Sequence, residues 1–370
     1  MEATLRDDAA ITGGPINRRN ITARNVLALT ISAHGGLEEL VVREDVPVPE
    51  IARPTNVRVR VVGAALNRLD LFVVAGLPGI SISPPWILGA DAAGIVESVG
   101  PEVRAVRVGD RVAINPGVSD GTCEYCRRGE QSLCLRFAIL GEHRPGTIAE
   151  FVVVPDRNVR RIPSTLGFEE AAGFTLATLT AWRMVVTRAR VQAGEDVLIW
   201  GIGGGVALAA LAICRRIGAR VWVTSSSETK LARARGLGAH ETLNHLQVDV
   251  GAVIRERTGK RGVDVVIDNV GAATWKHSLG ALGRGGRLVT CGGTSGPTVE
   301  TDVRRLFWNQ WTIMGSTMGN EAEFDAITNL LAGGELVPVV DSVHHLRDAR
   351  AAFTRLASGE QFGKVVIRVG

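Results

Sequence analysis

Between Asn56 and Gly63 the sequence NVRVRVVG alternates apolar and polar positions, the period of a strand with one buried face. AAGIVESVG, DRVAIN and AEFVVVP follow in the same style, separated by turn residues such as Pro101, Gly109, Asp110 and Pro116. Residues 25–164 therefore read as a mostly β unit. The pattern then changes. DVLIWG is a short unbroken apolar run, and VALAALAICRRIGA after it is helix-like. RVWVTSS, ETKLARARGLGA, VDVVIDNVG, TWKHSLGALGRGG and RLVTCGG continue the alternation. Apolar runs separated by helical stretches predict βαβ units and a parallel sheet buried on both faces, here over 165–320. In 321–370, EFDAITNLLAGGEL reads as a helix and KVVIRV as a final strand returning to the first unit. Residues 1–24 mix Arg18, Arg19 and Arg24 with Glu2, Asp7 and Asp8 and have no apolar core, so they read as a tail, not a secretory signal.

Composition narrows the function classes. A chain of 370 residues suggests about two domains, and 45% hydrophobic with 22% charged residues argues against disorder. Aromatic residues are scarce at 5%, with one tyrosine, which argues against a base-stacking nucleic-acid binder. The net charge of +4 is spread along the chain, and no apolar run is long enough to span a membrane. Small molecules are the expected partners, with neither nucleic acid nor membrane. Three of five cysteines lie between Cys123 and Cys134, which reads as a metal site in a reducing cytoplasm.

The 44 glycines concentrate chemistry at one place. Gly201, Gly203, Gly204 and Gly205, with Val206, sit between a predicted strand and a predicted helix. A side chain there would hold the backbone away from a pyrophosphate, which the helix N-terminus attracts through free N–H groups and its dipole. The strand–loop–helix context and the βα units after it make this a dinucleotide fingerprint. The next strand ends in Ser225-Ser226-Ser227, with Lys230 beyond, where an NAD site usually places an acid for the ribose 2′-hydroxyl. Hydroxyls and a cation suit a 2′-phosphate, so NADP(H) is the expected cofactor; a serine-rich helix cap is the plainer reading of the same residues.

Asp120, Cys123, Cys126 and Cys134 offer four ligands at spacings of three, three and eight, a set without an open position for structural Zn²⁺. Glu124, Glu130 or a water are the alternatives to Asp120.

ILGADAAGIVESVG, VGDRV, the cysteine lobe, the Gly201–Gly205 loop, DNVG at Asp268–Gly271 and QFGKVVI together resemble the medium-chain dehydrogenase/reductase superfamily, over about Val26–Val369. The resemblance implies an α/β fold: a GroES-like, mostly β catalytic domain and a Rossmann domain of doubly wound parallel sheet. It also implies a cleft between them and a homodimer or homotetramer. Zinc alcohol dehydrogenases of the family hold catalytic zinc through a Cys three residues before an Asp, a His-Glu pair, and a Cys or Asp opening the Rossmann domain. Here those positions read Asn67 before Asp70, Ala90-Asp91, and about Ala172-Gly173, so catalytic zinc is not expected. Zinc-free relatives reduce a C=C bond conjugated to a carbonyl, and the expectation is an NADPH-dependent enone or quinone reductase. The alternatives are alcohol or carbonyl oxidoreduction, and a nucleotide-binding subunit without turnover. Asn67 is the candidate donor to a substrate carbonyl, or else a turn residue paired with Asp70, and Asp70 orients its neighbours. Asp91 is expected to pair with a buried cation or a backbone N–H. With no evident side-chain acid, water is the expected proton source. By positional match, Thr180, Val270, Gly271, Gly292, Gly293, Ser316 and Met318 surround the nicotinamide.

Overall fold

The computed structural model describes residues 25–370; the tail assigned to residues 1–24 lies outside them. In the strand Asn56–Ala65, Val57, Val59 and Val61 point inward and are almost wholly buried, while Arg58 turns outward to Glu97. It pairs antiparallel with Asp91–Val99, Phe151–Pro155 and the C-terminal strand Lys364–Arg368. Arg111–Ile114, Val159–Arg161 and Val340–His345 complete this seven-stranded sheet. The chain end therefore closes the first unit's sheet instead of extending the second.

Register at one end of this sheet brings three distant residues together. Ala65 faces Asp91 on one side and Val366 on the other. Both neighbours run antiparallel to it, so Lys364, two residues before Val366, lies level with Asn67, two residues after Ala65. Asn67, Asp91 and Lys364 come together because three strands end side by side.

Asp196–Ile199, Arg220–Ser225, Glu241–Asn244, Val263–Asp268, Leu282–Thr290 and Thr312–Gly315 form a six-stranded, all-parallel sheet with the first of these near its middle. Its central apolar runs, Val197–Ile199, Val221–Val223 and Val265–Ile267, are at most 1% exposed, as two covered faces require. One boundary departs from the hydrophobic reading. The helix Ala272–Ala281 stops before the glycines of LGRGG, which fall in the next strand. Three glycines in four residues carry little helix propensity, and Gly285 adopts φ +69°.

The helix Phe168–Trp182 joins the two units. It packs on Asp91–Val99 and Asn56–Ala65 on one side and on the helix Gly205–Ile217 on the other. Among the described residues no helix is long and apolar enough to cross a membrane.

Candidate active site

A cleft of about 570 Å³ runs between the two units. It brings together Asn67, Thr180, Gly201, Gly204, Gly205, Val206, Ser225, Ser226, Lys230, Val270, Gly292, Gly293 and Met318, all read from sequence as site residues. Gly203, Gly271, Ser316 and Asp70 do not line it. Gly203 serves the loop's shape: its φ is +118°, and its carbonyl accepts the Gly363 N–H. Gly271 backs the wall, because a Cβ there would stand 2.8 Å from the Gly293 Cα. Ser316 is buried with its hydroxyl unpartnered.

At the cofactor end, the helix Gly205–Ile217 begins at Gly204 with no side-chain cap, so its first N–H groups are open to an anion. The loop is pinned from behind by Thr224, which accepts from Gly201 N through its hydroxyl and from Ile202 N through its carbonyl. The cradle thus fits a dinucleotide pyrophosphate. At the end of the second strand, Ser227 takes the capping role on the helix Glu228–Gly236, accepting the Lys230 N–H. That leaves Ser225, Ser226 and the Lys230 side chain on the cleft, with His245 beside them. Glu228 is drawn aside by Asn244, whose amide donates to it at 2.7 Å. Lys230 donates to the Gly359 carbonyl at 2.5 Å, and partial burial lowers its pKa.

At the other end, Asn67 begins the helix Arg68–Ala75. Its backbone N–H donates to the Asp70 carboxylate at 2.7 Å, and its carbonyl receives the Asp70 N–H. Both of the roles read for Asn67 are therefore compatible: its backbone makes the turn with Asp70, and the residue also lines the cleft. The side-chain amide donates to Asp91 at 2.9 Å and accepts from the Lys364 ammonium at 2.6 Å. Lys364 also donates to Asp91 at 2.8 Å. Asp91 finds both expected kinds of partner, since its other oxygen accepts from the Thr175 hydroxyl and from Leu176 N. Asp91 and Lys364 are 0% and 4% exposed, so this is an interior ion pair with every Asp91 oxygen satisfied. Asp70, buried directly behind, has its carboxyl pushed up to about 7 by burial, against the opposing pull of Lys364.

This arrangement does not fit a catalytic zinc. Asn67, Ala90 and Asp91 provide neither thiolate nor imidazole, and an ammonium stands among them. The helix presents Leu176 to the cleft, rather than Ala172 or Gly173. Ala172 is packed in the core and Gly173 faces a separate groove. None of the three offers a ligand atom.

Lys364 is the residue that motif reading passed over. The chain has only four lysines among 42 basic side chains, and two of them, Lys230 and Lys364, line this cleft. In a chain that otherwise uses arginine, that scarcity was the available signal. Glu142, the one carboxyl lining the cleft among the described residues, was also missed; burial raises its pKa, opposed by His143. Phe72, Leu77 and Ile139 supply apolar wall nearby.

Away from the cleft, Asp120, Cys123, Cys126 and Cys134 place their ligand atoms within 4.8 Å of one another. Cys123 and Cys126 stand 3.6 Å apart at sulfur, close to the ~3.8 Å edge of a tetrahedron with Zn–S bonds of ~2.3 Å. Asp120 turns one oxygen to the N–H groups of Thr122 and Cys123, and its other oxygen is buried without a hydrogen bond. The Arg136 guanidinium stands 3.6 Å from that oxygen, and a carboxylate gathered with three thiols fits a tetrahedral cation. Glu124 and Glu130, the alternatives, are engaged by Arg128 and Arg183.

A family model described as zinc-binding dehydrogenase matches residues 205–333, and one described as alcohol dehydrogenase GroES-like domain matches residues 53–164. Human quinone oxidoreductase is 28% identical over 347 residues, spanning 92% of this chain and 97% of its own. The crystal structure of an NAD-dependent alcohol dehydrogenase is 44% identical with a TM-score of 0.88, covering 93% of this chain and all of that one. The 2-octenoyl-CoA carboxylase reductase CinF, solved with NADP and 2-octenoyl-CoA, is 27% identical with a TM-score of 0.86, covering 93% of this chain and 87% of that one.

Proposed function

The chain belongs to the medium-chain dehydrogenase/reductase superfamily of oxidoreductases, and from that premise we propose that it is an NADPH-dependent reductase of the C=C bond of α,β-unsaturated carbonyls or quinones, working without a catalytic metal. The observation that carries the reading is the Asn67–Asp91–Lys364 cluster standing where zinc relatives would need thiolate and imidazole. Oxidising a simple alcohol without a Lewis acid forfeits several kcal/mol of charge stabilisation. Reducing a conjugated double bond needs less, because hydride goes to the β-carbon and the charge spreads onto the carbonyl oxygen as an enolate. The quinone oxidoreductase and the enoyl-CoA complex among the relatives are in keeping with that substrate class.

The bound dinucleotide supplies the hydride. The chain's own residues bind, orient and move protons. Gly201–Val206 would hold the pyrophosphate, and Thr180, Val270, Gly292, Gly293 and Met318 would frame the nicotinamide. Ser225, Ser226 and Lys230 favour NADPH over NADH, against the name of the alcohol dehydrogenase neighbour. Asn67 has one amide N–H beyond the one given to Asp91 and offers it to the substrate carbonyl. Asp70 positions Asn67 from behind. Glu142, the carboxyl lining the cleft, whose pKa burial raises against the opposing His143, replaces water as the assigned proton donor to the α-carbon. The cysteine lobe would hold a structural zinc. The substrate remains a small molecule, and the active form is a homodimer or homotetramer in the cytoplasm.

NADPH oxidation with an enone, a quinone and an aldehyde tests this. Turnover is expected with the first two. Turnover with the aldehyde alone, or faster turnover with NADH, would reverse the assignment.

A further inference from the structure

The Lys364 side chain takes an unusual route. Its stem passes beside Gly205, where a Cβ would approach both the Lys364 Cδ and the Ala177 Cβ to 3.0 Å. Its ammonium then ends between Asn67 and Asp91, and the residue lines the cleft as well as a second groove on the far side of the Gly205–Ile217 helix start. Two of its three N–H donors are accounted for by Asn67 at 2.6 Å and Asp91 at 2.8 Å. Asp91 itself does not line the cleft. Its contribution is to neutralise and aim the lysine, and its four donors leave it no other task.

We propose that Lys364 is a catalytic residue: its ammonium supplies the positive charge at this centre, and with the Asn67 amide it forms the oxyanion hole for the enolate. The proposal rests on the C=C reductase reading above. Two physical effects act together. The third ammonium N–H is a charged donor on a side chain only 4% exposed, and such bonds are about twice as strong as neutral ones. The same ammonium, bonded to the Asn67 carbonyl oxygen, pulls electron density from the amide and makes its free N–H a better donor. As hydride reaches the β-carbon, the C=C pair shifts to the Cα–C bond and the carbonyl pair moves onto oxygen. NADPH becomes NADP⁺, and the oxygen's new charge meets Lys364 and Asn67. The proton then delivered to the α-carbon returns that pair to the carbonyl and completes the two-electron reduction. Neither lysine nor asparagine changes its protonation state.

The test uses the full chain with Lys364→Met, Lys364→Arg and the double variant Lys364→Met with Asp91→Asn, which leaves no unpaired buried carboxylate. NADPH affinity is measured alongside, because the stem runs past the pyrophosphate loop. The double variant should bind NADPH within about threefold of wild type and lose roughly 100-fold in kcat on an enone, the range for deleting one oxyanion-hole donor. Lys364→Arg should recover part of that loss. A second readout is independent of turnover: 4-nitrophenol titrated with the NADP⁺ complex and followed by its phenolate absorbance. Wild type should bind it as the phenolate, with its apparent pKa lowered by at least about one unit, and Lys364→Met should abolish that shift. If wild type reduces enones but the double variant keeps kcat within about threefold, or loses only NADPH affinity, the oxyanion role is overturned and the reductase reading stands. No ionisation shift in wild type, or an equal shift in Lys364→Met, overturns it as well. A wild type that acts on aldehydes alone sinks the reductase reading instead.

Discussion

Asp70→Asn isolates the cost of the buried carboxyl behind the active centre. Asp70 is 2% exposed, accepts the Asn67 N–H, and has its pKa raised to about 7 because burial disfavours the charged form more than its partners and Lys364 favour it. In the unfolded chain an aspartate titrates near ~3.9. Between those values the folded protein holds a proton that the unfolded chain has released, so stability falls as pH rises, by about 1.4 kcal/mol per pH unit. The contribution is fully present below the unfolded value and gone above the folded one. From about pH 5.5 to pH 7 that amounts to ~1.6 kcal/mol, with only ~0.4 kcal/mol more lost by about pH 8.5. Asparagine has nearly the same shape, can still accept from Asn67 N, and does not titrate. Urea unfolding of both proteins at about pH 5.5, 7 and 8.5 should therefore show wild type losing ~1.6 kcal/mol relative to Asp70→Asn over the lower interval and only ~0.4 kcal/mol over the upper. All other titrating groups cancel in the difference. Parallel curves would refute a protonated Asp70, and a wild type gaining relative stability as pH rises would show that its carboxylate is net stabilised by Lys364.

Lys230→Met should weaken NADPH binding by about 10–100-fold while moving NADH less than about threefold, the scale of one lost charged hydrogen bond; equal losses for both in a fluorescence titration would remove Lys230 from a 2′-phosphate site. Metal analysis of protein purified without chelator should find one zinc per chain, with Asp120→Ala losing zinc and melting lower, and Asp120→Cys holding it more tightly. Two zincs per chain would contradict the reading of Asn67, Ala90 and Asp91. Glu142→Gln should lower kcat on an enone by ~100-fold and remove the fall in rate that wild type shows as pH rises through the raised Glu142 pKa; an unchanged rate would return the proton to water.

What sequence alone revealed was local. The glycine loop could be read because Gly201 and Gly203 need positive φ, at +69° and +118°, and because the strand and helix flanking them have distinct hydrophobic periods. The cysteine lobe could be read because its four ligands lie within fifteen consecutive residues, so spacing stands in for geometry. Asn67 and Asp70 were legible as a pair because three residues on is one helical turn, and the Asp70 carboxylate does reach back to Asn67 N. Ser316 and Gly271 were matched by position and fall just behind the wall, because position along a strand or turn does not say which way a group faces. The helix opening the second unit shows the same limit: Leu176, four residues beyond Ala172 and so one turn further along, is the one that reaches the cleft.

Lys364 belongs to a different kind of information. It stands 297 residues from Asn67 and 273 from Asp91, and only the double pairing of Ala65 with Asp91 and Val366 brings the three to the same end of the sheet. No local period encodes a register between strands so far apart. Yet the glycine fingerprint bears on it indirectly. A Cβ at Gly205 would crowd both the Ala177 methyl and the Lys364 stem, so the residue that lets a pyrophosphate approach also lets the lysine through. The Gly363 N–H, one residue before Lys364, is anchored on the Gly203 carbonyl of the same loop. The proposed cofactor cradle and the Lys364 ammonium are thus positioned by one set of glycines. Asp91 balances the charge of that ammonium, because an unpaired cation in that interior would cost several kcal/mol.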